Sequence, residues 1–171
     1  SRVFLSPQRY IQGPGVIKNC GLYLSLINAK HVGVLASKRG FSAEAANVLQ
    51  SLNEAGIEYS KAEFRGECSK EEVERHTNDL MSAKPDCILA VGGGKLVDAG
   101  KCIAYRLNCQ VGIIPTLASN DAPCSSISVL YTVDGVKDVV EYFPQNPAFV
   151  IVDTEVIVCL LYTSPSPRDE L

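Results

Sequence analysis

Residues 90–101 read AVGGGKLVDAGK. Three glycines stand between an apolar run, Cys87-Ile-Leu-Ala-Val91, and a segment in which Leu96, Gly100, Ile103 and Leu107 recur at helical spacing. The pattern predicts a buried strand, a tight turn and a helix. Such a unit is suited to anions, because a helix N-terminus presents unpaired N–H groups and a partial positive charge. Glycine lets a phosphate come close to the backbone and permits positive φ. Lys95 adds a full charge. The spacing is neither G-x-G-x-x-G nor G-x-x-x-x-G-K-[ST]. On spacing alone a phosphate or dinucleotide site and a plain tight turn are equally good readings. Asp98 and Lys101, one turn apart on the same helix, read as a solvated or turn-bracing salt link.

Working outward, His31–Ala36 predicts a buried strand, and Phe41, Ala45, Val48, Leu49 and Leu52 mark one face of a helix closed by Gly56. Residues 57–64 predict a second strand. Ser69-Lys-Glu-Glu72 has the form of a capping box opening a helix to about Ala83. Val111–Ile114 is a short strand ending at Pro115. Strand and helix alternating in this order predict parallel pairing through right-handed crossovers. Upstream, Arg9–Gln12 and Gly13-Pro-Gly15 suggest a strand and turn before a helix through Val16, Cys20, Leu24 and Ile27. Downstream, Ile127–Val133 and Val136–Val140 flank Asp134-Gly135, a two-residue hairpin signal. Phe149–Val152 is a last strand.

The 171 residues are 46% hydrophobic and 20% charged, with net charge −3 and no basic stripe. That composition supports a sizeable core and argues against nucleic acid as a partner. No apolar run has the length of a membrane span, and the first residues lack a secretory signal, so a cytoplasmic location is expected. Seven cysteines without a C-x-x-C pair read as reduced, mostly buried thiols. His31 and His76 have no partners at ligand spacing, so no metal site is expected from them.

Residues 115–126, PTLASNDAPCSS, form a small polar stretch just after a strand's carboxyl end, where open α/β sheets bind ligands. It carries hydroxyls at Thr116, Ser119, Ser125 and Ser126 and a carboxylate at Asp121. Taken alone, it also reads as a flexible polar loop.

Taken together, GGGK-x-x-D-x-x-K, IIPT-x-AS-x-DAPCS-x-x-SV-x-Y and NP-x-x-V-x-VDTEVI, with RYIQGPG near the start, resemble the N-terminal domain of the glycerol dehydrogenases, which are iron-containing-type alcohol dehydrogenases. The resemblance covers about residues 2–158. It implies an α/β fold: a Rossmann-like parallel-sheet domain of the type shared with dehydroquinate synthase, normally followed by a helical domain. It implies NAD as cofactor and a small polyol, such as glycerol, as substrate. Gly92, Gly93, Gly94, Lys95 and Leu96 would wrap the NAD pyrophosphate. Thr116, Leu117, Ala118 and Ser119 would line the adenine and ribose side. Ser125, Ile127 and Tyr131 match positions along the nicotinamide ribose and ring, and Asp121 matches the aspartate that touches glycerol. Asp98 and Lys101 fit the pattern as scaffold.

Two departures matter. The family often has threonine at the Leu96 position. It usually has an aspartate, bonded to the adenosine ribose, where Ser37 stands; either Ser37-Lys38-Arg39 weakens the preference for NAD over NADP, or Lys38 and Arg39 merely face solvent. The family's metal ligands, one aspartate and two histidines binding zinc or another divalent ion, follow the VDTEVI motif, and none maps onto this chain. The expected division is an NAD-binding domain over 1–158 and a non-family tail over 159–171. Cys159–Asp169 resembles neither the family nor a helix start and reads as translated sequencing adapter, with a Pro/Ser linker as the alternative; Arg168-Asp-Glu-Leu171 mimics an ER-retention signal. The expectation is a polyol dehydrogenase, homo-oligomeric in full length, of which this chain holds the cofactor half and is inactive alone. The alternatives are a non-catalytic nucleotide-binding fragment, or a glycerol-phosphate dehydrogenase or dehydroquinate synthase-like enzyme of the same fold.

Overall fold

The computed structural model describes residues 6–119 and 121–161. The expectations for the first five residues and for the tail from residue 162 onward, including its last four residues, lie outside these. Six strands form one parallel sheet: β1 (Tyr10–Gly13), β2 (His31–Ser37), β3 (Glu58–Phe64), β4 (Cys87–Gly92), β5 (Gln110–Pro115) and β8 (Phe149–Asp153), in the order β1-β8-β5-β4-β2-β3. β6 (Ile127–Tyr131) and β7 (Lys137–Tyr142) make a separate antiparallel hairpin. The central strands are continuous apolar runs because both faces are covered. Ala36 pairs in register with Val91, and Gly92 with Pro115, so the carboxyl ends of three strands stand side by side.

Helices α1 (Cys20–Ser25), α2 (Lys38–Phe41) and α3 (Glu44–Glu54) lie on the chain paths that run from β1 toward β3. Cys20, Leu24, Val48 and Leu52 pack with Val32, Val34 and Leu89 in one buried cluster. Helices α4 (Lys70–Met81) and α5 (Gly94–Arg106) belong to crossovers in the opposite direction and fill a second cluster, where Val73, Leu80, Val97 and Ile103 meet Leu35, Ile88 and Ile113. Right-handed crossovers running in opposite directions put helices on opposite faces. The reversal occurs between β2 and β4, and a crevice opens at such a point.

Several local expectations change. The helix expected from Phe41 to Leu52 is interrupted at Ala43 (φ −127°, ψ −110°), so α2 and α3 are separate. The upstream helix begins as a 3-10 turn over Val16–Asn19, because buried Asp153 takes the N–H groups of Gly15 and Ile17 at 3.0 and 3.1 Å. Only half of the capping box forms. Ser69 Oγ accepts from the Glu72 amide at 3.2 Å, while the Glu72 carboxylate accepts from the Arg65 amide and the Arg75 guanidinium. The hairpin loop has three residues, not two: Gly135 donates to the Thr132 carbonyl at 2.9 Å with φ +81° and displaces β7 by one residue. Helix α6 (Thr154–Leu161) follows β8 and includes Cys159. No helix among the described residues is long and apolar enough to cross a membrane.

Candidate active site: a cleft at the strand-order reversal

β4 runs straight into the glycines. Gly93 caps α5, and the first helical bond is Val97 N–H to the Gly93 carbonyl at 3.0 Å. The amides of Gly94, Lys95 and Leu96 precede that bond and have no acceptor within the helix. None of the three glycines has positive φ; among the described glycines that conformation belongs to Gly15, Gly56, Gly66 and Gly135. The glycines act by lack of bulk. A Cβ on Gly92 would stand 2.9 Å from Leu96 Cδ1, and one on Gly93 would stand 3.2 Å from Leu117 Cδ1, at the cleft wall.

Ser37, Gly92, Gly93, Gly94, Lys95, Leu96, Thr116 and Leu117 all line one open cleft at the sheet's carboxyl edge, as the sequence reading groups them. The Thr116 amide donates to the Gly92 carbonyl at 3.1 Å, which joins the two loops. Leu96, where the family often has threonine, packs into the core. Ala118 and Ser119 follow on the exposed loop. Tyr131 reaches the cleft through Lys95, whose ammonium lies 5.4 Å from its ring centroid. Cation and ring attract at this separation.

Asp121, Ser125 and Ile127 are grouped elsewhere. Asp121 is exposed beside a 3-10 turn over Ala122–Cys124. The next residues are tied to α5 by Lys101, whose ammonium donates to the carbonyls of Ala122, at 2.9 Å, and Ile127 and contacts Ser125 Oγ at 3.3 Å. Lys101 also lies 2.9 Å from Asp98 Oδ1, and Asp98 Oδ2 accepts from the Val129 amide at 3.1 Å. Both side chains are buried. The pair is scaffold, as expected, but it is not solvated; it fastens the loop and hairpin to the helix.

The sequence reading missed Glu67. Its carboxylate lies 2.6 Å from Lys95 Nζ and, through that hydrogen bond, raises the lysine's pKa. It missed Arg39 and Glu44 as lining residues as well. No periodic or spacing signal links positions 67 and 95. Arg39 was legible as charge but not as part of a wall.

The cleft suits a dinucleotide diphosphate: first-turn amides, a flanking ammonium and no bulk at the turn. The described residues do not suit a metal, since among them no three His, Cys, Asp or Glu side chains gather. Cys20, Cys68, Cys87 and Cys102 are buried free thiols. Burial pushes Cys20 up to about 12, leaving no thiolate there at neutral pH.

The model of the iron-containing alcohol dehydrogenase family matches residues 7–154. A glycerol dehydrogenase from Escherichia coli O6:H1 is 39% identical over 156 residues, covering 91% of this chain and 42% of the relative. The crystal structure of a probable glycerol dehydrogenase from Sinorhizobium meliloti superposes with a TM-score of 0.84 at 34% identity, over 92% of this chain and 42% of that one. The glycerol dehydrogenase structure from Schizosaccharomyces pombe gives 0.81 at 37% identity, over 92% and 40%. The chain thus spans about two-fifths of the length of the relatives it matches. With a fold that superposes on those structures and a family match over residues 7–154, the chain belongs to the iron-containing alcohol dehydrogenases.

Proposed function

We propose that this chain is the cofactor-binding half of an NAD-dependent polyol dehydrogenase that oxidises glycerol, or a close relative, to the ketone. The observation that carries the reading is the Gly92–Gly94 turn opening α5 at the strand-order reversal, with Thr116 and Leu117 across the same cleft. The α5 amides hold the diphosphate, and Thr116 through Ser119 flank the adenosine half. Asp121 presents its carboxylate from the adjoining loop and orients substrate hydroxyls, a role that phosphorylated substrates disfavour by charge repulsion. The family resemblance assigns Ser125, Ile127 and Tyr131 to the nicotinamide half. When bound, the nicotinamide accepts the hydride from the carbinol carbon.

The zinc or other divalent ion implied by the family has no ligand set among the described residues. The 171-residue chain by itself is therefore expected to bind dinucleotide without turnover. The full-length enzyme is read as a cytoplasmic homo-oligomer. The test is an NADH fluorescence titration of the purified chain and of a Gly93→Val variant, followed by a glycerol oxidation assay with added zinc. Saturable binding that Gly93→Val abolishes, without turnover, supports the reading. Absence of NADH binding, or equal binding by the variant, overturns it. Turnover by the chain overturns its assignment as a cofactor half alone.

A further inference from the structure

The cleft does not stop at the diphosphate cradle. It continues to the tip of β2, where Ser37, Arg39 and Gly40 share its wall with the glycine turn. In doubly wound folds the strand tip beside the glycine turn meets the adenosine ribose. A carboxylate there takes the 2′-hydroxyl and repels a 2′-phosphate, whereas a guanidinium attracts it and can bind two of its oxygens. The β2 tip of this chain carries no carboxylate. Ser37 Oγ accepts from the Gly40 amide at 3.0 Å, which leaves its proton for an outside acceptor. Arg39 is exposed, and among the described residues it enters no ion pair. The acidic group on this wall is Glu44, in the first turn of α3. Lys38 is exposed and does not line the cleft.

We propose that Arg39, with the Ser37 hydroxyl, forms a subsite for a nucleotide 2′-phosphate, so that the cleft accepts NADP(H) alongside NAD(H). The proposal rests on reading the cleft as a dinucleotide site and adds the chemistry of its adenosine end. Arg39 is the specificity-determining residue, and Lys38 is a bystander of the same charge.

The test is fluorescence titration of the whole chain with NADH and with NADPH, using wild type, Arg39→Ala, Lys38→Ala and Ser37→Asp. The expected wild-type result is saturable binding of both, with affinities within about tenfold. Arg39→Ala is expected to weaken NADPH about tenfold more than NADH, the size of a lost charge-assisted bond. Ser37→Asp is expected to do the same through repulsion, and Lys38→Ala to move the two ligands together. NADPH binding that Arg39→Ala leaves unchanged, or weakens no more than NADH, overturns the subsite. So does a wild-type chain that binds NADH but not NADPH. If neither dinucleotide binds, the reading of the cleft itself fails and the subsite falls with it.

Discussion

The Lys95 ammonium and the Glu67 carboxylate meet at 2.6 Å at the rim of the cleft, joining the start of α5 to the segment before α4. Glu67 therefore offsets the one full positive charge supplied by the glycine turn. Replacing Glu67 with Gln should free that charge and tighten ADP binding about threefold, the size of a solvent-exposed charge pair. The gain should shrink at high salt. It should vanish in the double variant with Lys95→Met. Weaker ADP binding by Glu67→Gln would mean that the pair orders the cradle instead.

The buried Lys101–Asp98 pair gives a stability prediction. Lys101→Met removes the buried ammonium that pairs with Asp98 and donates to the carbonyls of Ala122 and Ile127. A buried ion pair broken on one side costs about 3–5 kcal/mol. Urea denaturation should show a loss of that order. Asp98→Asn should also destabilise, and the two losses should not add.

Gly100 lies on α5, where alanine normally favours a helix by about 1 kcal/mol. Here a Cβ would stand 2.6 Å from Ala90 Cβ on β4. Gly100→Ala should therefore lower stability, by about 1–3 kcal/mol for an overpacked contact. Pairing it with Ala90→Gly should recover part of the loss in thermal melts.

His76 on α4 is 1% exposed. Burial, aided by the Arg75 guanidinium, holds its pKa below the ordinary imidazole value. The folded state prefers the neutral ring. Its stability is full above the unfolded value and is lost as pH falls through that value toward the lower folded one. Melting temperature should decline between about pH 7 and pH 5. In His76→Leu this part of the decline should flatten; an unchanged slope would assign it to other groups.

Much of the cleft was readable from residues near one another in sequence. The apolar runs of β2, β4 and β5, the glycine turn and the loop after Pro115 each state their place locally, and parallel pairing brings their ends together. Contacts between distant segments left no such trace. Glu67 reaches Lys95 across 28 positions. The Asp98–Lys101 spacing marks a pair without revealing that a loop and hairpin bury it. The break at Ala43 is invisible to apolar periodicity, which records which side chains are covered and not where the backbone turns. The third hairpin residue escaped for a related reason, since Asp134-Gly135 marks a reversal but not its length.

β1 sits at the edge of the sheet with β8 as its neighbour, Tyr10 beside Val150 and Gly13 beside Asp153. During synthesis, β1 must wait for a partner strand made some 140 residues later. Until Asp153 has cleared the ribosome, the early segment has no hydrogen-bonding edge to join, and the amides of Gly15 and Ile17 lack their acceptor. A nascent chain stalled before that point should remain open to proteases at the β1 segment while β2 to β5 are already assembled.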